Sequence, residues 1–262
     1  MLKVRVIPTL LWKNFGLVKG FGFDSWRRVG PVLPAIKVYN QREVDELILL
    51  DIIAHETGAE PDFESVEDFG RDCFVPLTIG GGITRIEQVR RLLRAGADKV
   101  SVNSAAYEKP ELLTELAKRH GSQCVVASID VRGDAATGWR CFSHAGSRDT
   151  GRDVLEWARE VEARGAGEIL ITSIERDGTM EGYDLALVER VTSTVGIPVI
   201  ASGGAGNYQH MIDVVLQSGA SAVAAASIFH FTEQTPAAAK AALQSAGIAV
   251  RTTYRADDAA QD

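Results

Sequence analysis

The stretch Phe74-Val75-Pro76-Leu77-Thr78-Ile79-Gly80-Gly81-Gly82 decides the fold because it occurs twice. It returns 122 residues later as Gly196-Ile197-Pro198-Val199-Ile200-Ala201-Ser202-Gly203-Gly204. Each copy is a short, nearly continuous apolar run that ends in glycines, the pattern of a parallel strand covered on both faces. The flanking segments repeat as well. Gly96–Ser104 aligns with Gly219–Ser227 at an offset of 123, Glu46 with Glu168 at 122, and Ile7–Lys13 with Val126–Arg132 at 119.

Working outward, eight such runs are present: Val4–Leu11, Glu46–Ile52, Phe74–Ile79, Lys99–Asn103, Cys124–Asp130, Glu168–Ile174, Ile197–Ala201 and Ala222–Ala226. Between them Ile86–Ala95, Val154–Arg164 and Met211–Ser218 carry apolar residues on one helical face and polar ones on the other. A strand–helix unit repeated eight times predicts an α/β fold of the (β/α)8 barrel type, built from two repeated half-barrels. One half cannot close a barrel alone, so residues 1–249 are expected to form a single domain. The competing open, doubly wound sheet rarely needs eight parallel strands so evenly spaced. Residues 250–262 are polar and are expected to be a disordered tail.

The 262 residues are 45% hydrophobic with a net charge of −7, so a large core is available and no basic nucleic-acid footprint is indicated. The longest apolar runs fall short of the ~18 residues of a membrane span. Met1–Val6 carries charges and soon meets Pro8, which reads as a strand rather than a signal peptide. Cys73, Cys124 and Cys141 lie far apart, and the five histidines are scattered. Reduced thiols, a cytoplasmic location, and neither metal nor cofactor are expected.

The repeat places chemistry at matched positions. In the first half Gly80-Gly81-Gly82 is followed by Asn103-Ser104 at the end of the next run; in the second, Gly203-Gly204 is followed by Ala226-Ser227. Glycines let backbone N–H groups approach an anion, so two such loops predict two phosphate sites and a ligand phosphorylated at both ends. Asp130 ends the fifth run, where barrel enzymes place catalytic groups; it is either an acid/base residue or a cap. The repeat aligns Asp130 with Leu11, which cannot move a proton. Asp177, in Asp177-Gly178-Thr179, either orients a ligand hydroxyl or caps its turn, and Asp51 is ambiguous in the same way. Arg5, Glu46, Lys99 and Glu168 open their strands. Two carboxylates and two cations there make either a structural ion-pair layer or a gate at the barrel bottom.

The chain resembles the HisF family, the cyclase subunit of imidazole glycerol phosphate synthase. Leu17-Val18-Lys19-Gly20, Leu50-Asp51-Ile52, Gly80-Gly81-Gly82-Ile83, Ile129-Asp130, Arg176-Asp177-Gly178-Thr179 and Gly182-Tyr183-Asp184 carry the likeness, as does the run from Arg91 to Ser101. It covers roughly residues 1–230. The resemblance implies a doubly phosphorylated ligand at the top face, a HisH-type glutaminase docked at the bottom, and ammonia passing through the barrel. It makes Arg5, Glu46, Lys99 and Glu168 the gate, puts Asp98 at the glutaminase interface, and puts Lys19 in the loop that closes over substrate. It also brings Trp12, Trp26 and Trp139 near loops over the mouth.

The departure lies in the family's paired carboxylates. Asp130 matches the second, while the first falls on Leu11. With Leu10-Leu11 and Gly178–Asp184, the chain looks closest to the HisF-like acetamidino-modification proteins of surface-polysaccharide pathways. That resemblance implies that the barrel and a HisH-like glutaminase supply ammonia to a separate amidotransferase, which turns an acetamido group on a nucleotide sugar into an acetamidine. The alternatives are an authentic histidine-pathway cyclase and a non-catalytic, phosphate-binding partner of the glutaminase.

Overall fold

The computed structural model describes residues 3–14 and 16–252. Eight parallel strands form the barrel: β1 Arg5–Lys13, β2 Leu47–Asp51, β3 Leu77–Gly80, β4 Lys99–Val102, β5 Val125–Asp134, β6 Glu168–Ser173, β7 Val199–Ser202 and β8 Ala222–Ala225. Neighbours in sequence are neighbours in the sheet. The sheet closes on itself because β8 pairs with β1 through Arg5↔Ala222 to Pro8↔Ala225. This is the expected (β/α)8 barrel.

The half-barrel repeat is visible in the hydrogen bonds. The Leu47 N–H donates to the Pro76 carbonyl (2.9 Å), and its counterpart Ile169 donates to Pro198 (3.0 Å). Those two prolines also correct the expected strand starts. Both runs begin pairing only after the proline, at Leu77 and Val199. Proline has no N–H for the ladder, and Phe74, expected inside a strand, is 80% exposed.

Side chains alternate across each strand. One set faces the helices and builds the main core, with Trp157, Leu10, Leu49, Leu92 and Leu113 fully buried. The other set points into the barrel, where Ile7, Ile48, Val126, Leu170 and Ile200 form a separate apolar layer with Ala222 and Ala224. Removing such side chains from water stabilises the fold by roughly 1.5–3 kcal/mol each.

Two antiparallel hairpins interrupt the βα pattern, and the strand-by-strand reading did not foresee them. Gly16–Phe21 pairs with Asp24–Gly30 and hangs from β1; Gly138–Ser143 pairs with Arg148–Asp153 and hangs from β5. Both follow strand ends, so both stand over the same mouth of the barrel. At the other end, the first residues of the expected tail are held in place. Val250 bridges to Val4, and the Arg251 guanidinium lies 3.0 Å from Asp45. Residues 253–262 lie outside the described residues.

Candidate active site

A cavity of about 520 Å³ opens at the strand C-termini. Its floor is the apolar layer. Its walls are the residues one turn of the pleat higher, with Thr9 and Leu11 from β1, Ser101 from β4, Ser128 and Asp130 from β5, and Thr172 from β6. Leu11 therefore faces the cavity, as its alignment with Asp130 implies, while Trp12 faces away. The Trp12 indole packs edge-on against Phe69 (5.4 Å between ring centres) and is buried in the outer layer, not over the mouth. Trp139 is likewise buried, its indole N–H donating to Asp184 at 3.2 Å; only Trp26 of the three lines the cavity.

Asp130 is buried, and its Oδ2 accepts a 2.9 Å hydrogen bond from the Asn103 amide. Loss of water pushes its carboxyl up to about 7, and the nearby Asp177 charge adds to this. Such a group exchanges protons at neutral pH, which a free carboxyl does not.

Lys19 comes from the first hairpin and is only 2% exposed, because its ammonium reaches down to Asp177 with Nζ–Oδ distances of 2.5 and 2.6 Å. Burial raises the Asp177 carboxyl above its usual range while Lys19 pulls it back. The Asp177 carbonyl also accepts the Gly22 N–H at 2.9 Å, so this residue fastens the hairpin over the cavity. Gly178 lines the cavity beneath the hairpin with φ +81°, and a Cβ there would sit 2.3 Å from the Gly20 carbonyl oxygen. Thr179 is not brought into the cavity; its hydroxyl donates back to the Arg176 carbonyl at 2.9 Å. Asp51 lines the cavity, but its Oδ1 accepts from the Ile53 and Ala54 N–H groups at 3.0 and 3.1 Å, so it caps its turn.

Gly81, Gly82, Asn103 and Ser104 meet on one side of the cavity, and Gly203, Gly204, Ala226 and Ser227 on the other. The two loops are built alike. A Cβ on Gly81 would lie 2.3 Å from the Asp51 carbonyl oxygen and one on Gly203 2.7 Å from that of Ser173, so each loop lies against the end of a neighbouring strand. No backbone acceptor among the described residues faces the N–H groups of Gly82 or Gly204. The Thr9 hydroxyl is buried without a partner among them. Donors left open in a cavity mark where a ligand's oxygens belong.

At the opposite end of the barrel the four charged residues form one closed ring. Arg5 Nη1 meets Glu46 at 2.6 Å and Glu168 at 2.8 Å, while Lys99 Nζ meets the same two at 3.1 and 3.0 Å. Burial acts to lower the Arg5 guanidinium, but Glu168 and Glu46 outweigh it and hold it above its ordinary value. The repeat accounts for the two carboxylates, since Glu46 aligns with Glu168. It does not account for the cations: Lys99 aligns with Ala222, and Arg5 with Cys124. The ring is thus a specific addition to a twofold scaffold. Asp98 stands beside it, exposed, one oxygen accepting the Leu77 N–H at 2.8 Å.

A family model described as histidine biosynthesis protein matches residues 5–235. The chain belongs to that family. Its members are HisA- and HisF-type barrels, the isomerases and cyclases of the histidine pathway. Among the described residues, no helix is long and apolar enough to cross a membrane. Trp26 was placed near the mouth by the resemblance and does line the cavity; the other aromatic rings of its lining, Phe23, His55 and His144, were missed by the sequence reading. Phe23, Trp26 and His144 belong to the two hairpins, and His55 to the short helix Ala54–Thr57. No strand-end pattern points to any of them.

Proposed function

We propose that the chain is the HisF-like synthase subunit of a glutamine-dependent amidotransferase. In this reading a HisH-type glutaminase docks on the face that carries Asp98 and the charged ring. Ammonia enters past Arg5, Glu46, Lys99 and Glu168, crosses the barrel and is supplied for amidination of a surface-polysaccharide nucleotide sugar by a separate amidotransferase. The observation that carries the reading is a complete ring at the bottom combined with a top cavity that Leu11 lines together with Asp130. The means of admitting ammonia is intact while the second acid/base group is gone. The apolar layer at Ile7, Ile48 and Leu170 favours neutral ammonia over ammonium, whose charge is costly to strip of water.

A second reading, the histidine-pathway cyclase, is favoured by one feature. Asp130 is tuned to about 7, and the Lys19–Asp177 pair lines the same cavity. Turnover of N′-[(5′-phosphoribulosyl)formimino]-5-aminoimidazole-4-carboxamide ribonucleotide with excess ammonium at alkaline pH separates the two without a glutaminase. The first reading expects no turnover by a folded chain. Robust turnover overturns it and makes the chain a cyclase.

A further inference from the structure

His55 and His144 come from different parts of the chain and meet at the rim of the cavity, beside the Gly82–Asn103–Ser104 loop pair. Their rings stand edge to face with centres 5.9 Å apart, and both line the cavity. His144 is placed with some force. It and Ala145 hold left-handed backbone at φ +54° and +50° in the turn of the second hairpin. Such conformations persist only where the surroundings impose them, and they gather at functional sites. The fixed point here is Ser104, whose hydroxyl accepts the His144 N–H at 3.0 Å; a 2.9 Å hydrogen bond between the Ser143 hydroxyl and Nδ1 then orients the ring. The turn is also pinned from the first hairpin, since a Cβ on Gly146 would lie 3.0 Å from the Phe23 ring.

The charges around the two rings nearly cancel. Asp51 and Glu56 lie near His55. Glu108 is 3.7 Å from His144 Nε2 and 3.8 Å from Arg148, and Glu60 pairs with Arg85 and Arg91. Four carboxylates therefore face three guanidinium groups, so the sign of this rim is set by whether the imidazoles carry protons.

We propose that His55 and His144 form a titratable anion subsite next to the first glycine loop, and that it receives a phosphoryl group of the ligand when both rings are protonated. This rests on the reading that the cavity takes a phosphorylated ligand. It names the ligand's end on this side as a phosphate or diphosphate held by imidazolium N–H groups as well as backbone amides. Burial and the adjacent His144 hold His55 below the ordinary imidazole range, against the pull of Glu56, so an anion bound here restores proton affinity to it. Linkage makes the effect reciprocal: protonation tightens anion binding by the factor by which the anion favours the proton.

Sulfate is a suitable probe, because its own charge is constant across the pH range. The histidine ring resonances of the whole chain are followed by NMR between pH 8 and pH 5.5, with and without sulfate at matched ionic strength, and are assigned with His55→Gln and His144→Gln. The expected result is that sulfate moves the titration midpoints of His55 and His144 upward and leaves His120 in place, with sulfate affinity about tenfold tighter at pH 5.5 than at pH 8. The double variant keeps the weak affinity and loses the gain. Sulfate binding that is independent of pH, or equally pH-dependent in the double variant, overturns the subsite while leaving the phosphate reading intact. Failure of sulfate to bind at either pH overturns both.

Discussion

At the scale of single residues, the cavity turns on two positions, 11 and 130. Leu11 is nearly buried and lines the cavity with an isobutyl group. Leu11→Asp restores a carboxylate on β1 to the cavity that Asp130 lines. If the remaining pocket has kept the family's shape, cyclase turnover with ammonium rises by about 10²-fold or more, the usual worth of one acid/base group. No gain in the same assay means that the pocket has diverged beyond this residue.

Asp130 carries a pH signature. Its folded-state carboxyl is raised to about 7, so the folded protein holds a proton that the unfolded chain releases near pH 4. Stability from this group is therefore undiminished below the unfolded value and falls as pH rises toward 7. Asp130→Asn removes the penalty. Its urea midpoint is expected to match the parent near pH 4 and to exceed it above pH 7, by on the order of 3 kcal/mol in unfolding free energy. A constant gap across the range would mean that Asp130 is not held neutral by burial.

The contrast between Leu11 and Asp130 is legible in the repeat alignment of the sequence, because strand ends keep their register. The partners of Asp51, Asp177 and Thr179 were not legible. Each lies in a loop, where a carboxylate or hydroxyl chooses among nearby N–H groups, and only the chain path decides. Asp51 and Thr179 went to their own turns, and Asp177 went to Lys19.

At the scale of elements, the first hairpin stands over the cavity and lines it with Lys19, Phe23 and Trp26. Its strands Gly16–Phe21 and Asp24–Gly30 are short, the first broken by Lys19 and two glycines and the second largely polar and exposed, so neither is a continuous apolar run. The hairpin is held down by the Lys19–Asp177 pair, by the Gly22 N–H on the Asp177 carbonyl, and by contact of Gly20 with Gly178. Gly178→Ala attacks the last of these. The side chain is disfavoured at φ +81° and collides with the Gly20 carbonyl, so the hairpin has to lift. Limited proteolysis is expected to cut within residues 16–30 several-fold faster than in the parent, with a loss of roughly 1–3 kcal/mol in stability. Unchanged cleavage would mean that the hairpin does not depend on this contact. The prolines teach a related lesson at this scale. Pro76 and Pro198 each make pairing begin at the residue that follows them, so a local rule moved an element boundary twice without disturbing the topology.

At the scale of the whole molecule, the barrel has two ends with different chemistry joined through an apolar layer. The order of elements fixed the closed architecture from sequence, because eight repeats of one unit leave few other ways to bury the strands. The ring at the bottom was legible as four charged strand openings, but its closure was not. Glu46 and Glu168 each bridge both cations, which requires the four strands to stand around one axis.

Removing one cation tests whether that closure serves passage or only stability. In Lys99→Ala both carboxylates fall back on Arg5, and a gap opens where the ammonium stood. The residues are mostly but not fully buried, so solvent screening limits the cost to about 1–3 kcal/mol. A chain that merely needs the ion pairs loses this stability and keeps its stoichiometry. A chain that gates ammonia loses both. In complex with the proposed HisH-type glutaminase, the variant is expected to hydrolyse glutamine without matching transfer of ammonia, while added ammonium restores product. The decisive quantity is glutamine consumed per ammonia transferred, and a ratio unchanged from the parent would assign the ring to structure alone.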